Sequence, residues 1–226
     1  MKRYIKNMNM LTKEENDRLG KFKVCVVGCG GLGGYVIEML ARLGIGYLTV
    51  VDADKFDETN LNRQILSNTD TLGKSKSITA QERIKLVNPL VEVEPINKRV
   101  TKNNCEDIIK GHDVVVDAVD NIDTKIILQD TCSNIGIPLV HGAIGGWYGQ
   151  VTTIFPEDKT LDILYVSRDK KGIEKELGNP SFTPGLVASI QVSEVLKVLI
   201  KRGKPLKRRV LFIDTFEQEY EVIDIS

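Results

Sequence analysis

The 226 residues are enough for one large α/β domain with a substantial core, and 42% hydrophobic with 27% charged is an ordinary globular composition. Thirty-one basic residues cancel thirty-one acidic ones, which excludes a global field that gathers nucleic acid and leaves only a local patch. No apolar run approaches the ~20 residues of a membrane span, and MKRYIKNMNM lacks the apolar stretch of a secretion signal, so the chain is expected in the cytoplasm.

Residues 1–22 are polar and contain Glu14-Glu15-Asn16-Asp17-Arg18, the pattern of a short helix leading into a first strand. The apolar run at 24–27 then drops into Gly28, Gly30, Gly31, Leu32 and Gly33, followed by an apolar-periodic helix through Val36, Leu40 and Leu43. A strand, a tight turn and a helix N-terminus make an anion site, because unpaired N–H groups and the helix dipole face outward there. A second strand at 47–52 ends in Asp52, near the ~20-residue distance at which a nucleotide fold places the acid that receives a ribose hydroxyl. Further strands are expected at 91–97, 113–119 and 138–144, with helices at 75–87 (Ala80, Ile84 and Val87 on one face) and 124–135. Strands alternating with helices predict a Rossmann-like, doubly wound, mostly parallel sheet. Ligands on such sheets bind beyond the carboxyl ends of the strands, which gathers 28–33, Asp52, 53–76 and Asp120 around one crevice.

The second half changes character. Gly145-Gly146-Trp147-Tyr148-Gly149 reads as a Gly-rich turn before a strand at 151–155. Residues 156–183 are charged and aperiodic, with Lys170-Lys171-Gly172 and Asn179-Pro180 as breakers, and read as a long crossover loop. An apolar helix at 186–200 is ended by Gly203 and Pro205, and strands at 210–214 and 220–225 form an antiparallel hairpin that extends the sheet. One domain covers 1–226: an arm at 1–22, a nucleotide-binding half at 23–144, and a half at 145–226 that holds the crossover.

The chemistry gathers after Asp52, in Asp54, Asn60-Leu61-Asn62-Arg63-Gln64 and Gly73-Lys74-Ser75-Lys76. A nicotinamide enzyme has little use for positive charge here, since the glycine turn already cradles the pyrophosphate. A protein that breaks a phosphoanhydride must stabilise charge spreading over a triphosphate, and Arg63 and Lys76 on separate loops suit that task. Taken singly, each reads as a solvated surface charge. Asp117-Ala118-Val119-Asp120-Asn121 ends the fourth strand. Asp117 falls partly within the strand, so Asp120 is the carboxylate expected to hold Mg²⁺, with Asn121 also suited to cap the next helix. Cys25, Cys29, Cys105 and Cys132 form no C-x-x-C pair, and His112 and His141 stand far apart, so the cysteines read as small buried hydrophobes and no zinc is expected. His141 and Trp147, near the Gly-rich turn, read as packing residues, with lining of a substrate channel as the alternative.

Together these residues resemble the ThiF/MoeB/HesA family, the bacterial relatives of ubiquitin-activating enzymes. The matching motifs are Gly28-x-Gly30-Gly31-Leu32-Gly33, Val51-Asp52-x-Asp54, Asn60-Leu61-x-Arg63-Gln64, Gly73-x-x-Lys76 and Asp120-Asn121. Pro138-Leu139-Val140-x-Gly142-Ala143, Gly149-Gln150-Val151 and the helix at 189–199 also fit, so the resemblance runs from about residue 3 to the C-terminus. It implies an enzyme that binds ATP·Mg²⁺ and the C-terminal Gly-Gly tail of a small ubiquitin-like sulfur-carrier protein, and that adenylates the tail carboxylate. By position it gives Gly31 and Asp52 to the adenosine, Asn60 and Arg63 to the phosphates, Lys76 to the transition state and Asp120 to the metal. Gly28, Gly30, Leu32, Gly33, Asp54, Gln64 and Asn121 complete the expected nucleotide site. It also implies a homodimer, in which Lys6 of Arg3-Tyr4-Ile5-Lys6-Asn7 stands where the family has an arginine reaching into the partner's ATP site.

Two departures narrow the expectation. The C-x-x-C zinc pairs of molybdopterin-type members are missing, and 156–183 holds no cysteine for a thioester or persulfide. The chain is therefore expected to stop at the acyl-adenylate, with sulfur supplied by another protein; the carrier and its pathway stay open. The alternatives are a dehydratase acting on threonylcarbamoyladenosine in tRNA, for which Lys204, Lys207, Arg208 and Arg209 are the candidate basic cluster, and an inactive nucleotide-binding scaffold. Inactive halves tend to lose the arginine and lysine that are present here.

Overall fold

A computed structural model describes residues 2–166 and 177–225. In chain order the elements are α1 (Lys13–Leu19), β1 (Lys23–Val27), α2 (Gly31–Leu43), β2 (Tyr47–Val51), α3 (Lys76–Val87), β3 (Glu92–Ile96), α4 (Cys105–Ile109) and β4 (Val114–Asp117). There follow α5 (Ile122–Ile135), β5 (Leu139–Gly145), β6 (Tyr148–Ile154), α6 (Thr160–Leu164), α7 (Phe182–Ile200), β7 (Arg209–Asp214) and β8 (Glu219–Asp224).

The strands form one sheet in the order β3-β2-β1-β4-β5-β6-β7-β8. The first five pair in parallel, and the last three are added antiparallel, as expected. Strand alternation sorts the core onto two faces. Val24 and Val26 of β1 point toward α2, α3 and α7, where Ile37, Leu40, Ile84 and Val195 fill one layer. Cys25 and Val27 point the other way, toward Ile109 of α4, Leu128 of α5 and Leu161 of α6. The chain order reverses between β1 and β4, and a doubly wound sheet opens its ligand crevice at that switch point.

Several boundaries differ from the sequence reading. β4 stops at Asp117 rather than 119, because Asp117 turns its carboxylate back onto the Val119 N–H. β6 starts at Tyr148, since Gly146 takes a positive φ of 55° and closes a tight hairpin from β5. The expected loop at 156–183 contains α6, and its last residues open α7; 167–176 lie outside the described residues. α7 is a further correction: it is long and apolar enough by length and composition to cross a membrane. Half of it is buried, with Val187, Ala188, Val195 and Leu199 packed into the sheet core.

Candidate active site

The glycine turn sits at the switch point because β1 ends beside β4. Gly28 takes φ +100°, and a Cβ there would strike the Ala118 carbonyl. A Cβ on Gly33 would run into the Gly28 carbonyl, so the turn and the first turn of α2 pack backbone on backbone. α2 has Gly30 at its cap with no side-chain hydrogen bond and no acid in its first turn. Its leading N–H groups therefore face the crevice with the positive end of the helix dipole behind them.

Asp52 follows β2 and is held by two backbone donors, Cys29 N–H to Oδ2 and Asp54 N–H to Oδ1, each at 2.8 Å. Burial raises its pKa, opposed by those two hydrogen bonds and by the charge of Lys76. Each oxygen keeps a lone pair for a further donor.

Lys76 is delivered by a short antiparallel pairing. Phe56 N–H bonds to Lys74 O, Gly73 N–H to Phe56 O and Lys76 N–H to Asp54 O. The Lys76 ammonium, largely buried, lies 3.8 Å from Asp54 Oδ2 and 5.9 Å from the Phe56 ring centroid. Arg63 comes from the loop across the crevice. Its aliphatic stem packs over Gly31, with Cγ 3.5 Å from the point a Cβ would occupy, and Nη1 donates to Thr59 O and Asn62 Oδ1, each at 2.9 Å. Gln64 is buried beside Gly30, and its Oε1 has no partner among the described residues. An unpaired acceptor at the glycine turn calls for a water or a ligand donor.

Not every expected residue faces the crevice in this way. The Asn60 amide is turned inward, accepting from Asp57 N–H and donating to Asp57 Oδ1 and Thr59 Oγ1, so it shapes the loop that carries Arg63. Asn121 caps α5 through Thr124 N–H at 2.8 Å, and Asp120 is exposed on the turn before it. Lys6 lies at the opposite end of its own chain's α2. Tyr4 packs against Gly44 and bonds to Asn88, and Asn7 donates to Leu43 O. The thirteen residues of α2 put roughly 20 Å between that anchor and the glycine turn.

Trp147 is 46% exposed, with its ring against Phe182 and Phe216, so it is a surface residue rather than core packing. His141 is fully buried in a polar network with Asp117, Lys125, Tyr165 and Gln150. The sequence reading passed over Lys125. Its one signal is a lysine directly before the apolar pair Ile126-Ile127, on the helix next to a strand aspartate. All four cysteines are buried and free, and burial raises each thiol.

A family model described as ThiF family matches residues 2–226. The chain belongs to the ThiF family. It is similar to the SAMP-activating enzyme E1 of Haloferax volcanii, 39% identical over 219 residues that cover 96% of this chain and 81% of that protein. It is also similar to the sulfur carrier protein adenylyltransferase of Thermus thermophilus, at 36% identity with 94% and 82% covered. Among solved structures, E. coli MccB with ATP superposes with a TM-score of 0.85 at 21% identity, covering 99% of this chain and 71% of that one, which establishes the shared fold. The E. coli tRNA N6-threonylcarbamoyladenosine dehydratase TcdA with ATP gives 0.77 at 27% identity, with 88% and 94% covered. The glycine turn, Asp52, Arg63 and Lys76 thus form one crevice in a ThiF-family chain.

Proposed function

We propose that this protein is an adenylyltransferase that activates the C-terminal carboxylate of a small ubiquitin-like sulfur-carrier protein ending in Gly-Gly. The observation that carries the reading is the convergence of two cations on one anion-binding turn: Arg63 packed over Gly31, and Lys76 beside Asp52 and Asp54. The names of the Haloferax and Thermus relatives support the reaction and the kind of partner.

ATP is the substrate that suits this crevice. The α2 N-terminus faces its phosphates, while Asp52 and Gln64 are available to the ribose and base side. A carrier carboxylate oxygen attacks the α-phosphorus, the bond from that phosphorus to the β-phosphate oxygen breaks, and pyrophosphate leaves with the electron pair. Lys76 and Arg63 stabilise the charge that grows on the α-phosphate and the leaving group, and no protein nucleophile is required. Magnesium prefers one or two carboxylates together with phosphate oxygens and water. Asp120, a single exposed carboxylate at the end of β4, fits a metal of that kind arriving with the nucleotide. It would neutralise charge on the leaving pyrophosphate.

The reading extends to a single domain with an N-terminal arm and to a homodimer. The arm's anchoring beyond the far end of α2 supports a role for Lys6 in a second copy's crevice rather than its own. With all four cysteines buried, the acyl-adenylate is the last species formed on this chain, and a sulfur nucleophile arrives from another molecule. The tRNA reading has less support, because three of its four basic residues are engaged internally: Lys207 pairs with Glu157, Arg208 with Asp158 at 2.7 Å, and Arg209 bonds to Pro205 O.

ATP–pyrophosphate exchange with a panel of Gly-Gly-ended carriers tests the proposal. Carrier-dependent exchange, abolished by Lys76→Ala, is the expected result. Exchange that depends on tRNA, or ATP binding with no exchange for any acceptor, would overturn it.

A further inference from the structure

One buried charged cluster has no part in the chemistry described so far. Asp117 ends β4 with its side chain fully buried, and three donors converge on it. Lys125 Nζ lies 3.3 Å from Oδ1 and 3.2 Å from Oδ2, and donates also to Gly142 O at 3.2 Å. His141 Nδ1 is 2.6 Å from Oδ2, and the Val119 N–H donates to Oδ1 at 3.1 Å. The Lys125 side chain is 4% exposed.

A buried ion pair is a weak source of net stability, because desolvation offsets most of the attraction. Its reliable effect is geometric, and the location here says which geometry. Asp117 and Lys125 bracket the segment that carries Asp120. β4 stops at Asp117, the chain turns through 118–121, and α5 begins at Ile122. The outer side of that turn is tied by Ala118 N–H to Val27 O at 2.9 Å and by the Asn121 cap on Thr124 at 2.8 Å. Its inner side is closed by the Lys125–Asp117 bridge, which reaches over to Gly142 on β5. Asp120 is exposed and no side chain among the described residues holds it, so the turn beneath it sets where its Cα–Cβ bond points and which rotamers reach the crevice.

We propose that Lys125 and Asp117, oriented by His141, are positioning residues for Asp120: they hold the 118–121 turn in the shape that presents its carboxylate to the divalent cation accompanying ATP. This rests on the metal role given to Asp120 above, and the test separates the two.

The measurement is calorimetric affinity of the full chain for ATP with and without Mg²⁺, in the absence of any carrier. Mg²⁺ is expected to tighten ATP binding to the wild type, and Asp120→Asn to abolish that gain. Lys125→Met is expected to lose most of the gain, about tenfold, as removal of a group that orients a metal ligand does, while metal-free ATP affinity stays within about twofold. Lys125→Arg restores the gain, since a guanidinium can still bridge the carboxylate and the Gly142 carbonyl. The paired variant Asp117→Asn/Lys125→Met leaves no lone buried charge; it is expected to fold and still lack the gain. It decides the matter if Lys125→Met alone does not fold.

A full Mg²⁺ gain in the paired variant, with only its melting temperature changed, would overturn the positioning role while leaving Asp120 intact. An unchanged gain in Asp120→Asn would overturn the metal reading itself, and the positioning role with it.

Discussion

In the proposed reaction Lys76 and Arg63 act through charge placed where charge develops, so removing either should affect rate more than folding. Lys76→Ala and Arg63→Ala are each expected to lower carrier-dependent exchange by about 10²–10³-fold, the range for losing one preorganised donor to a transition state. A denaturation midpoint near wild type should accompany the arginine variant, because Arg63 is only half-buried. Gly33→Ala should do the reverse. Its methyl group meets the Gly28 carbonyl, a backbone atom with no room to move, so the cost should reach or exceed the ~1–3 kcal/mol of ordinary overpacking, read as a shifted urea midpoint. The placement of Arg63 and Lys76 near the glycine turn is legible because both follow a strand-ending acid, in segments beyond the carboxyl ends of the strands. The local use of the Asn60 amide is harder to see, because the Asp57-x-x-Asn60 spacing that makes a reciprocal cap lies inside a longer polar segment. Lys125 leaves only a faint trace, since nothing in Asp123-Thr124-Lys125-Ile126-Ile127 says that its lysine meets a carboxylate on a neighbouring strand.

At the scale of elements, the parallel strands are legible from short apolar runs spaced by helices, while their order across the sheet, and so the switch point, comes from the structure. α4 and α6 are not legible: each has five residues, too few to show a helical period. The packing of α4 and α5 onto the sheet has a pH signature. His112 is held below its ordinary 6.5 chiefly by burial, and His141 by burial and then the charge of Lys125. Between 6.5 and their lower folded values the unfolded chain binds protons that the native chain refuses, so stability is full above 6.5 and falls as the pH drops. Asp117 adds to this at lower pH: its pKa is depressed despite burial, by Lys125 and then His141, so its contribution is lost as the pH falls through its folded value. Asp52 has the opposite sign, because burial raises its pKa; it costs stability as the pH rises from 3.8 through its folded value. Urea midpoints between pH 7.5 and about 5.5 should therefore decline with acid, and His141→Gln should flatten part of the slope. A midpoint that rises toward pH 5.5 would contradict this.

For the whole molecule, the sheet brings the glycine turn, the Arg63 loop and the β5–β6 hairpin to one edge, while the arm is tied beyond the far end of α2. If the arm completes another copy's site, Lys6→Ala and Lys76→Ala should each be weak alone and regain activity on mixing, as mixed dimers form one crevice with both lysines. No regain on mixing, or full activity of Lys6→Ala alone, would place Lys6 outside the chemistry. Which phosphorus the carrier carboxylate attacks can be read directly with an isotope. A Gly-Gly-ended carrier labelled with ¹⁸O in its terminal carboxylate is incubated with enzyme, ATP, Mg²⁺ and a sulfide nucleophile, and the nucleotide products are weighed by mass spectrometry. Attack at the α-phosphorus predicts one ¹⁸O in AMP and none in pyrophosphate; label in inorganic phosphate with ADP as the product would contradict it.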